Sequence, residues 1–300
     1  MDHDTAVRLA VFKYLDSLRI KHGQVFPWSS LQRGFSYNGN PVPLIGATGI
    51  WKPKVLDLPI SIATSPNKPY NDTFNEEGLL DYRYRKDKAG SKDNNGLRTT
   101  MLKNLPLVYF HAMSKGKYDA SWPVYIVGDN PQTSTFTVAV DERSELTKEK
   151  TEAEIGETAL IRRKYLTTLT RIRLHQSAFR IQVLGAYREQ CAICRLKHVP
   201  LLEAAHIMPD ADTDGEPVVS NGLSLCKIHH AAYDQNILGI TPDYKAEIRL
   251  DVLREIDGPM LKHGIQEMHG TKLFIPRAEN KKPNKELVAR RYEEFKSTPS

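Results

Sequence analysis

Cysteine is scarce in this chain of 300 residues, which contains only three cysteines. An odd and small number excludes the disulfide framework of small secreted domains. Apolar runs of the ~18 residues that a membrane-spanning helix needs are also absent. The start of the chain, Met1 to Thr5, has neither the basic nor the apolar part of a secretory signal. We therefore expect a cytoplasmic protein that has no membrane partner.

The chain also lacks a strong excess of either charge. It has 42 basic and 36 acidic residues, a net charge of +6, which is compatible with a polyanionic partner but does not establish one. Basic residues are concentrated between Leu160 and Gln190, where the only acid is Glu189. This density is typical either of a helix that contacts phosphates or of a solvated helix face. The arginines expected to contact DNA are Arg162, Arg163, Arg171, Arg173 and Arg180.

Composition changes along the chain predict an α+β fold with two domains. Residues Asp4 to Gly23 have helical periodicity, with Asp4 as the expected N-cap and Gly23 as the stop. Short β-prone runs separated by turn residues then continue to Asp141. Residues 142–157 are rich in glutamate and contain no aromatic residue, so they can bury little surface. The sequence predicts a sheet-rich domain at 1–141, a linker at 142–157 and a second domain at 158–300.

The second domain is expected to begin with a basic amphipathic helix. The apolar run from Val199 to Met208 and the run from Ala246 to Leu250 both predict strands, and Asn284 to Lys296 predicts a final polar helix. The run from Lys227 to Asp234 follows a further apolar stretch and predicts a helix.

Two pairs of metal-ligating residues lie in the second domain. Cys191 and Cys194 form a C-x2-C pair, and Cys226 and His229 form a C-x2-H pair. Two such pairs can supply the four ligands of a closed, tetrahedral structural zinc site. The alternative is a set of buried thiols and surface histidines that bind no metal. The paired spacing, and the use of all three cysteines, favour zinc.

A second group of polar residues lies beside these pairs. His206 interrupts an apolar run, and His230 and Asp234 are four residues apart, so they share one face of the predicted helix. His229 is one residue step away from that face. Adjacent histidines can therefore serve two sites, with His229 at the zinc and His230 at a second metal ion.

His206, Asn221 and His230 resemble the three signature residues of HNH (ββα-metal) endonucleases. The nine-residue step from Asn221 to His230, and four further residues to Asp234, fit that pattern. The cysteine pairs resemble those of the zinc-stapled subgroup that includes McrA-like restriction endonucleases. The resemblance covers roughly residues 171–250, and more loosely 251–300. It implies a C-terminal ββα-metal domain with a structural zinc.

The resemblance also implies catalytic roles. His206, whose ordinary pKa is about 6.5, is expected to take a proton from the attacking water. His230 and Asp234 are expected to hold one divalent ion, Mg²⁺ or Mn²⁺, and Asn221 to order the loop and the imidazole of His206.

One position departs from the family pattern. The residue before the catalytic base is often a metal-binding Asp or His in the family, but here it is Ala205. Glu203 lies two residues earlier, on the strand face of Ala205, and is a candidate to supply the missing carboxylate directly or through water.

The first domain contains two stretches that interleave aromatic and basic residues. The candidates for DNA binding there are Trp51, Lys52, Tyr82, Arg83, Tyr84 and Arg85. Aromatic rings can stack on an extruded base while Arg and Lys bind phosphates. The alternative for each aromatic residue is ordinary strand packing. By architecture the domain is expected to be an SRA-like or PUA-like reader, and a winged-helix element is left open.

These observations predict a metal-dependent endonuclease that acts on double-stranded DNA. By its domain order it resembles a modification-dependent (type IV-like) restriction enzyme that reads modified cytosine, and a homodimer is left open. The alternatives are a non-catalytic, zinc-stapled DNA-binding protein and a homing or mobile-element HNH nuclease. The retained trio of His206, Asn221 and His230 favours an enzyme over a binding protein.

Overall fold

The computed structural model describes residues 2–64, 73–75, 78–85, 91–141, 157–210 and 212–298. Contacts between Cα atoms divide the chain into two units, Met1–Leu174 and His175–Ser300. The division falls within one helix, Glu157–Ala186, whose first part belongs to unit 1 and whose last part belongs to unit 2. The predicted linker lies outside the described residues except for Glu157, so the proposed domain boundaries stay a prediction.

Unit 1 is built around a sheet, as its β-prone runs predict. Its helices are α1 (His3–His22), α2 (Trp28–Arg33) and α3 (Lys92–Leu102). Its strands are β1 (Val25–Pro27), β2 (Phe35–Tyr37), β3 (Asn40–Val42), β4 (Ile50–Trp51), β5 (Ser61–Ala63), β6 (Thr73–Phe74), β7 (Leu80–Arg83), β8 (Leu107–Ser114), β9 (Lys117–Asn130) and β10 (Thr135–Val140).

The main sheet of unit 1 has the strand order β4-β5-β8-β9-β10-β7-β6, and β1 pairs with β9. The described pairings in this sheet are antiparallel except that of β5 with β8. Consecutive residues of a strand point to opposite faces. In β8, Val108 and Phe110 therefore pack with α1 on one face, while Leu107 and Tyr109 pack in a separate core on the other. Both faces are covered, which explains why β8 is apolar along nearly its whole length.

The N-cap of α1 lies two residues before the predicted one, while the C-terminal stop agrees with the prediction. Asp2, not Asp4, is the N-cap, and its carboxylate accepts a hydrogen bond of 2.7 Å from the amide of Thr5. The expected cap at Asp4 is wrong because the helix begins one residue before it. Asp4 instead lies in the first turn and pairs with the buried guanidinium of Arg8. Gly23 ends the helix with a φ of 74°, as predicted.

Unit 2 contains the end of α4 (Glu157–Ala186) and a compact set of short elements. Its strands are β11 (Leu202–His206), β12 (Gly222–Cys226), β13 (Leu238–Ile240) and β14 (Ala246–Ile248). Its helices are α5 (Lys227–Asp234), α6 (Leu250–Arg254), α7 (Pro259–Gly264) and α8 (Lys285–Ser297). β11 and β12 are antiparallel, with Leu202 opposite Cys226 and His206 opposite Gly222, and α5 follows β12 directly. This is a ββα unit, so the predicted α+β class is confirmed.

Two predicted strands are shorter than expected. The run from Val199 begins with a 3₁₀ turn, because Pro200 lacks the amide that a strand ladder needs, and β11 starts only at Leu202. The run from Ala246 ends as a strand at Ile248, and Leu250 begins α6. The final helix agrees with the prediction, with Asn284 as its N-cap.

The last part of α4 packs directly on β12. Gly222 permits this approach, because a Cβ there would lie 2.4 Å from a methyl of Val183 and 2.9 Å from the ring of Phe179. Phe179, Val183 and Tyr187 join a buried core with the strands of the ββα unit. Within the described residues, no helix is both long enough and apolar enough to cross a membrane.

Candidate metal centre and active site

Cys191, Cys194, Cys226 and His229 come together in unit 2 as the sequence predicts. One donor atom from each residue lies within 4.8 Å of the others. Nδ1 of His229 is 3.2 Å from the sulfur of Cys226 and 3.5 Å from that of Cys191, and the sulfurs of Cys194 and Cys226 are 3.9 Å apart. Ligand–metal bonds of about 2.0–2.3 Å place tetrahedral donors at such separations. The cluster therefore fits a single four-coordinate metal ion.

The electrostatics of this cluster also favour the binding of a cation. The neighbouring thiols of Cys194 and Cys226 donate hydrogen bonds that lower the pKa of Cys191. Hydrogen bonds that the Cys194 thiol donates to Cys191 and Cys226 hold its proton and raise the pKa of Cys194. Burial opposes protonation of His229, but hydrogen bonds with Cys191 and Cys226 raise its pKa to about 10. A metal ion would let all three thiols ionise together.

The local fold fixes the four donors. Cys226 ends β12 and His229 lies in the first turns of α5, while Cys191 and Cys194 lie on a tight turn closed by a hydrogen bond of 2.9 Å from the amide of Cys191 to the carbonyl of Leu196. Nε2 of His229 is 2.9 Å from the carbonyl oxygen of Gly264. This contact orients the ring so that Nδ1 faces the sulfurs, as metal-binding histidines require.

A second polar site is an open cleft of about 510 Å³ in unit 2. Its walls include His206 at the end of β11 and both His230 and Asp234 on α5. Asp210, Arg291 and Glu294 also line it. The cleft thus combines two imidazoles, three carboxylates and one guanidinium, which are groups suited to proton transfer and to binding a divalent ion.

His206 is held against the core side of this cleft. Its ring stacks on Phe179 of α4, with centroids 4.0 Å apart and an interplanar angle of 11°. Nε2 lies 3.0 Å from a carboxylate oxygen of Asp210, without hydrogen-bond geometry to any described residue. Burial lowers the pKa of His206 and the charge of His230 acts in the same direction, while Asp210 opposes them. The neutral, proton-accepting imidazole is thereby favoured.

Asn221 does not line the cleft but holds its wall. The residue is fully buried, and its amide group donates to the carbonyl oxygens of Met208 (3.0 Å) and Glu216 (3.1 Å). Its side-chain oxygen accepts a hydrogen bond of 2.9 Å from the amide of Met208. These bonds tie down the loop that leaves His206, and the role of Asn221 in the reaction stays a prediction.

His230 is fixed by two carboxylates on opposite sides of its ring. Nδ1 is 2.7 Å from Glu203 Oε2, and Nε2 is 3.3 Å from Asp234 Oδ2. Asp234 thus lies beside the nitrogen that faces the cleft, while Glu203 lies behind the ring. Within the described residues these groups do not form a donor cluster as compact as the Cys/His cluster.

Ala205 is fully buried in the core of unit 2, between Glu203 and His206 on β11. A carboxylate at this position would be placed in an apolar core and not in the cleft. Position 205 therefore supplies no metal ligand to the cleft in this chain.

Three charged cleft residues, Asp210, Arg291 and Glu294, were not found by sequence reasoning. Asp210 follows His206 by four residues but lies in an irregular loop, where no periodic pattern identifies it. Arg291 lies on α8, far along the chain from the ββα unit. When tertiary packing alone brings a residue to a site, no sequence pattern near the other site residues identifies it. The only sequence feature at Arg291 is that it follows another arginine, Arg290.

The arginines of α4 predicted to contact DNA have partners within the protein. Arg162 and Arg163 pair with the buried carboxylate of Asp141, at 3.0 and 2.8 Å. Arg173 pairs with the buried Asp119 at 2.9 Å. Arg171 lies 5.7 Å from the ring centroid of Phe74, and Arg180 donates to the carbonyl oxygens of Val199 and Leu202. Their role in DNA binding stays a prediction.

The aromatic and basic candidates of unit 1 occupy different environments. The side chain of Tyr82 is buried and its hydroxyl donates to the carbonyl oxygen of Gly49 at 2.9 Å. The remaining candidates are half-buried or exposed, and all but Arg83 have described partners: Trp51 with Pro43, Lys52 with Leu56, Tyr84 with Asp129 and Arg85 with Asp93. DNA binding by these six residues stays a prediction.

One family model matches the part of unit 2 that carries the Cys/His cluster and the histidines of the cleft. Residues 191–241 match the model of the HNH endonuclease family HNH_2. The chain is similar to a solved modification-dependent TagI restriction endonuclease, with 15% identity over 81% of this chain and 84% of that one, and a TM-score of 0.31. It is also similar to the type IV phosphorothioation-dependent restriction endonuclease ScoMcrA, with 13% identity, 80% and 52% coverage, and a TM-score of 0.20. The chain spans about half the length of the latter. No curated protein matches.

Proposed function

We propose that this chain, whose residues 191–241 form an HNH endonuclease domain, hydrolyses phosphodiester bonds of double-stranded DNA with the help of a divalent metal ion. One observation carries the proposal: His206, His230 and Asp234, which lie apart in sequence, line the same cleft. The closed Cys/His cluster in the same unit is a separate site, which we assign to a structural zinc ion.

In this proposal the neutral imidazole of His206 takes a proton from a water molecule at Nε2. The water oxygen forms a bond to phosphorus while the bond from phosphorus to one bridging ester oxygen breaks. The leaving oxygen keeps the electron pair and takes a proton from solvent. The stacking of His206 on Phe179 and the lowered pKa of the imidazole both suit a base that works near neutral pH.

The residues around His230 fit a divalent ion. Its Nε2 and a carboxylate oxygen of Asp234 are neighbouring donors in the cleft, and Glu203 binds the other ring nitrogen. A carboxylate behind a metal-binding imidazole is the usual way in which proteins fix its orientation. A bound Mg²⁺ or Mn²⁺ would stabilise the charge that develops on the phosphate oxygens. We assign Glu203 to the orientation of His230, because it lies behind the ring.

Asn221 supports this arrangement from within the core. By fixing the backbone on both sides of the loop that follows His206, it restrains the position of the base. We therefore expect Asn221 to be a positioning residue, not one that touches the DNA.

We further propose that unit 1 reads modified cytosine and makes cleavage dependent on DNA modification. Unit 1 has its own sheet and its own cores, so it can serve as a separate binding module. Phosphate contacts alone carry no base information, so recognition of a modified base requires a further surface. The exposed Lys52 and Arg83 and the half-buried Trp51 are the candidates that support such a surface.

The test is digestion of the same plasmid prepared from hosts that methylate, hydroxymethylate or do not modify cytosine, with Mg²⁺, Mn²⁺ or EDTA. We expect metal-dependent cutting of at least one modified plasmid and little cutting of the unmodified plasmid. Equal cutting of all plasmids would contradict the modification dependence but not the nuclease.

A non-catalytic DNA-binding protein is the second candidate, and the buried Ala205 is the observation that favours it. This candidate predicts retarded DNA in a gel-shift experiment and no cutting of any plasmid with any divalent metal.

A further inference from the structure

We propose that Arg291 binds the phosphate group that is cut and stabilises the negative charge that develops on it. Arg291 lies on α8, outside the residues that match the HNH family model. The inference rests on the proposed function, since it assigns a further residue to the same reaction. It makes the C-terminal helix a part of the catalytic centre and not only a cover for the core.

Arg291 has the position that this role requires. It lines the same cleft as His206, His230 and Asp234, and its side chain is only 11% exposed. A guanidinium at such a site is partly shielded from water, where its interaction with a phosphate is stronger than on an open surface.

The guanidinium is also fixed in place by contacts with the residues on either side of Asp234. It donates a hydrogen bond of 2.8 Å to the carbonyl oxygen of Tyr233 and another to the side-chain oxygen of Asn236. It lies over the ring of Tyr233, 4.8 Å from the centroid. These contacts place the charge of Arg291 beside the end of α5 that carries Asp234.

Hydrogen-bond capacity remains for a ligand. A guanidinium has five N–H groups in a planar fork, and the described hydrogen bonds use two of them. Glu294, the nearest carboxylate on the same helix, is 3.7 Å from the guanidinium and 50% exposed, which is a loose ion pair. The planar fork matches two oxygens of a phosphate, which a lysine cannot match.

The charge of the cleft gives a reason for this cation. Asp210, Asp234 and Glu294 would repel a DNA phosphate, and one divalent ion offsets only two of these charges. Of the described residues that line the cleft, Arg291 is the one that carries a guanidinium, whose positive charge offsets part of this repulsion. During the reaction Arg291 would keep all its protons and form no covalent bond; it would donate hydrogen bonds to the phosphate oxygens.

The preceding residue offers a matched control. Arg290 lies on the same helix but binds Asp212 and Asp214, and its side chain is 45% exposed. It does not line the cleft. Substitution of either arginine removes one positive charge from α8. A difference in nicking rate between the two variants therefore reflects the position of Arg291 in the cleft.

The experiment uses the full chain and measures single-turnover nicking of supercoiled plasmid with saturating Mn²⁺. We compare the wild type with Arg291→Gln, Arg291→Lys and Arg290→Gln, and record the thermal unfolding of each. Loss of one preorganised donor to a transition state lowers rates by about 10²–10³-fold, and we expect this loss for Arg291→Gln. Arg291→Lys should lose less, added guanidinium should restore part of the rate of Arg291→Gln, and Arg290→Gln should cut like the wild type.

A purely structural role predicts a different result. If Arg291→Gln cuts at the wild-type rate, or if neither lysine nor added guanidinium recovers any of its lost rate, the inference is wrong. The variant His206→Ala and the reaction in EDTA separate this inference from the proposed function. Wild-type protein that never cuts would overturn the proposed function, whereas metal-dependent cutting that needs His206 and ignores Arg291 would overturn only the role of Arg291.

Discussion

His229 and His230 are adjacent on α5, yet they belong to two different kinds of site. His229 is 2% exposed and joins three cysteines in a closed cluster. His230 is 23% exposed at its side chain and lines an open cleft. A site with four protein donors leaves no position for water, so it can only stabilise the fold, whereas an open site can bind water and substrate. Two consecutive residues of one helix can therefore face a closed donor cluster and an open cleft.

The two histidines are also oriented by different means. His229 presents Nδ1 to the sulfurs while its Nε2 contacts the backbone carbonyl of Gly264. His230 presents Nε2 to the cleft while its Nδ1 contacts the carboxylate of Glu203. A carboxylate makes the imidazole that it contacts a stronger metal ligand than a carbonyl oxygen does. The carboxylate of Glu203 can also be neutralised by mutation, whereas the backbone carbonyl of Gly264 cannot. The following predictions test each side of this contrast.

The largest effect is expected from loss of the closed cluster. Structural zinc contributes about 10–16 kcal/mol of apparent binding free energy in zinc-finger peptides, so we expect Cys194→Ser to lose its metal and to unfold unit 2. Metal analysis and thermal unfolding by circular dichroism measure this. His263→Ala, at a side chain that is 61% exposed, is the control that should keep both the metal and the stability. Unchanged thermal unfolding of Cys194→Ser would contradict the assignment.

Removal of the base is expected to stop the reaction but not the folding. General-base catalysis contributes about 10²–10⁴-fold to rates, so we expect a loss of that size for His206→Ala, with DNA binding retained. Plasmid nicking and gel shifts measure the two properties, and the exposed His198→Ala serves as the control. Near wild-type nicking by His206→Ala would show that another group is the base.

Glu203 provides a test of the open site that is milder than loss of a ligand. Changes behind a metal-binding histidine lower metal affinity by about 10–100-fold. We expect Glu203→Gln to need that much more Mg²⁺ or Mn²⁺ for half-maximal nicking, and to regain most of its rate when the metal is saturating. Glu293→Gln, 70% exposed on α8, is the control. If saturating metal restores no activity, Glu203 has a more direct role than orientation.

The closed cluster could be predicted from sequence, and the open cleft only in part. Cys191, Cys194, Cys226 and His229 form two short-range pairs, whose spacing already limits the geometry. His206, His230 and Asp234 carry a family pattern. Asp210 carries none, because its distance to His206 depends on an irregular loop.

The sequence also could not predict which arginines of α4 pair with acids of the protein. The basic stretch of α4 predicts a surface for phosphates, but the structure pairs Arg162 and Arg163 with Asp141 and Arg173 with Asp119. These acids lie on or next to the strands of unit 1, far away in sequence. A charge pattern within one helix cannot reveal which of its members are neutralised by tertiary contacts.

The smallest effect concerns pH. Burial holds the pKa of His206 below its ordinary value of 6.5, and the base must be neutral to accept a proton. Nicking should therefore fall as the pH falls through the lowered pKa, with a midpoint below 6.5. The charge of Asp210 raises this pKa, so Asp210→Asn should move the midpoint to still lower pH. A pH profile of single-turnover nicking at saturating metal measures both midpoints, and a shift to higher pH in Asp210→Asn would contradict the account.

The most direct test of the different roles of the two sites is metal removal and addition on one protein sample. The purified chain is treated briefly with EDTA, its metal content is measured, and nicking of a modified plasmid is followed as Mg²⁺ or Mn²⁺ is added back. We predict that one zinc ion per chain survives the treatment and that nicking is absent until the second metal is added. His206→Ala should keep the zinc but nick about 10²–10⁴-fold more slowly than the wild type. Loss of zinc without loss of folding, or nicking that needs no added metal, would contradict the division between a closed structural site and an open catalytic one.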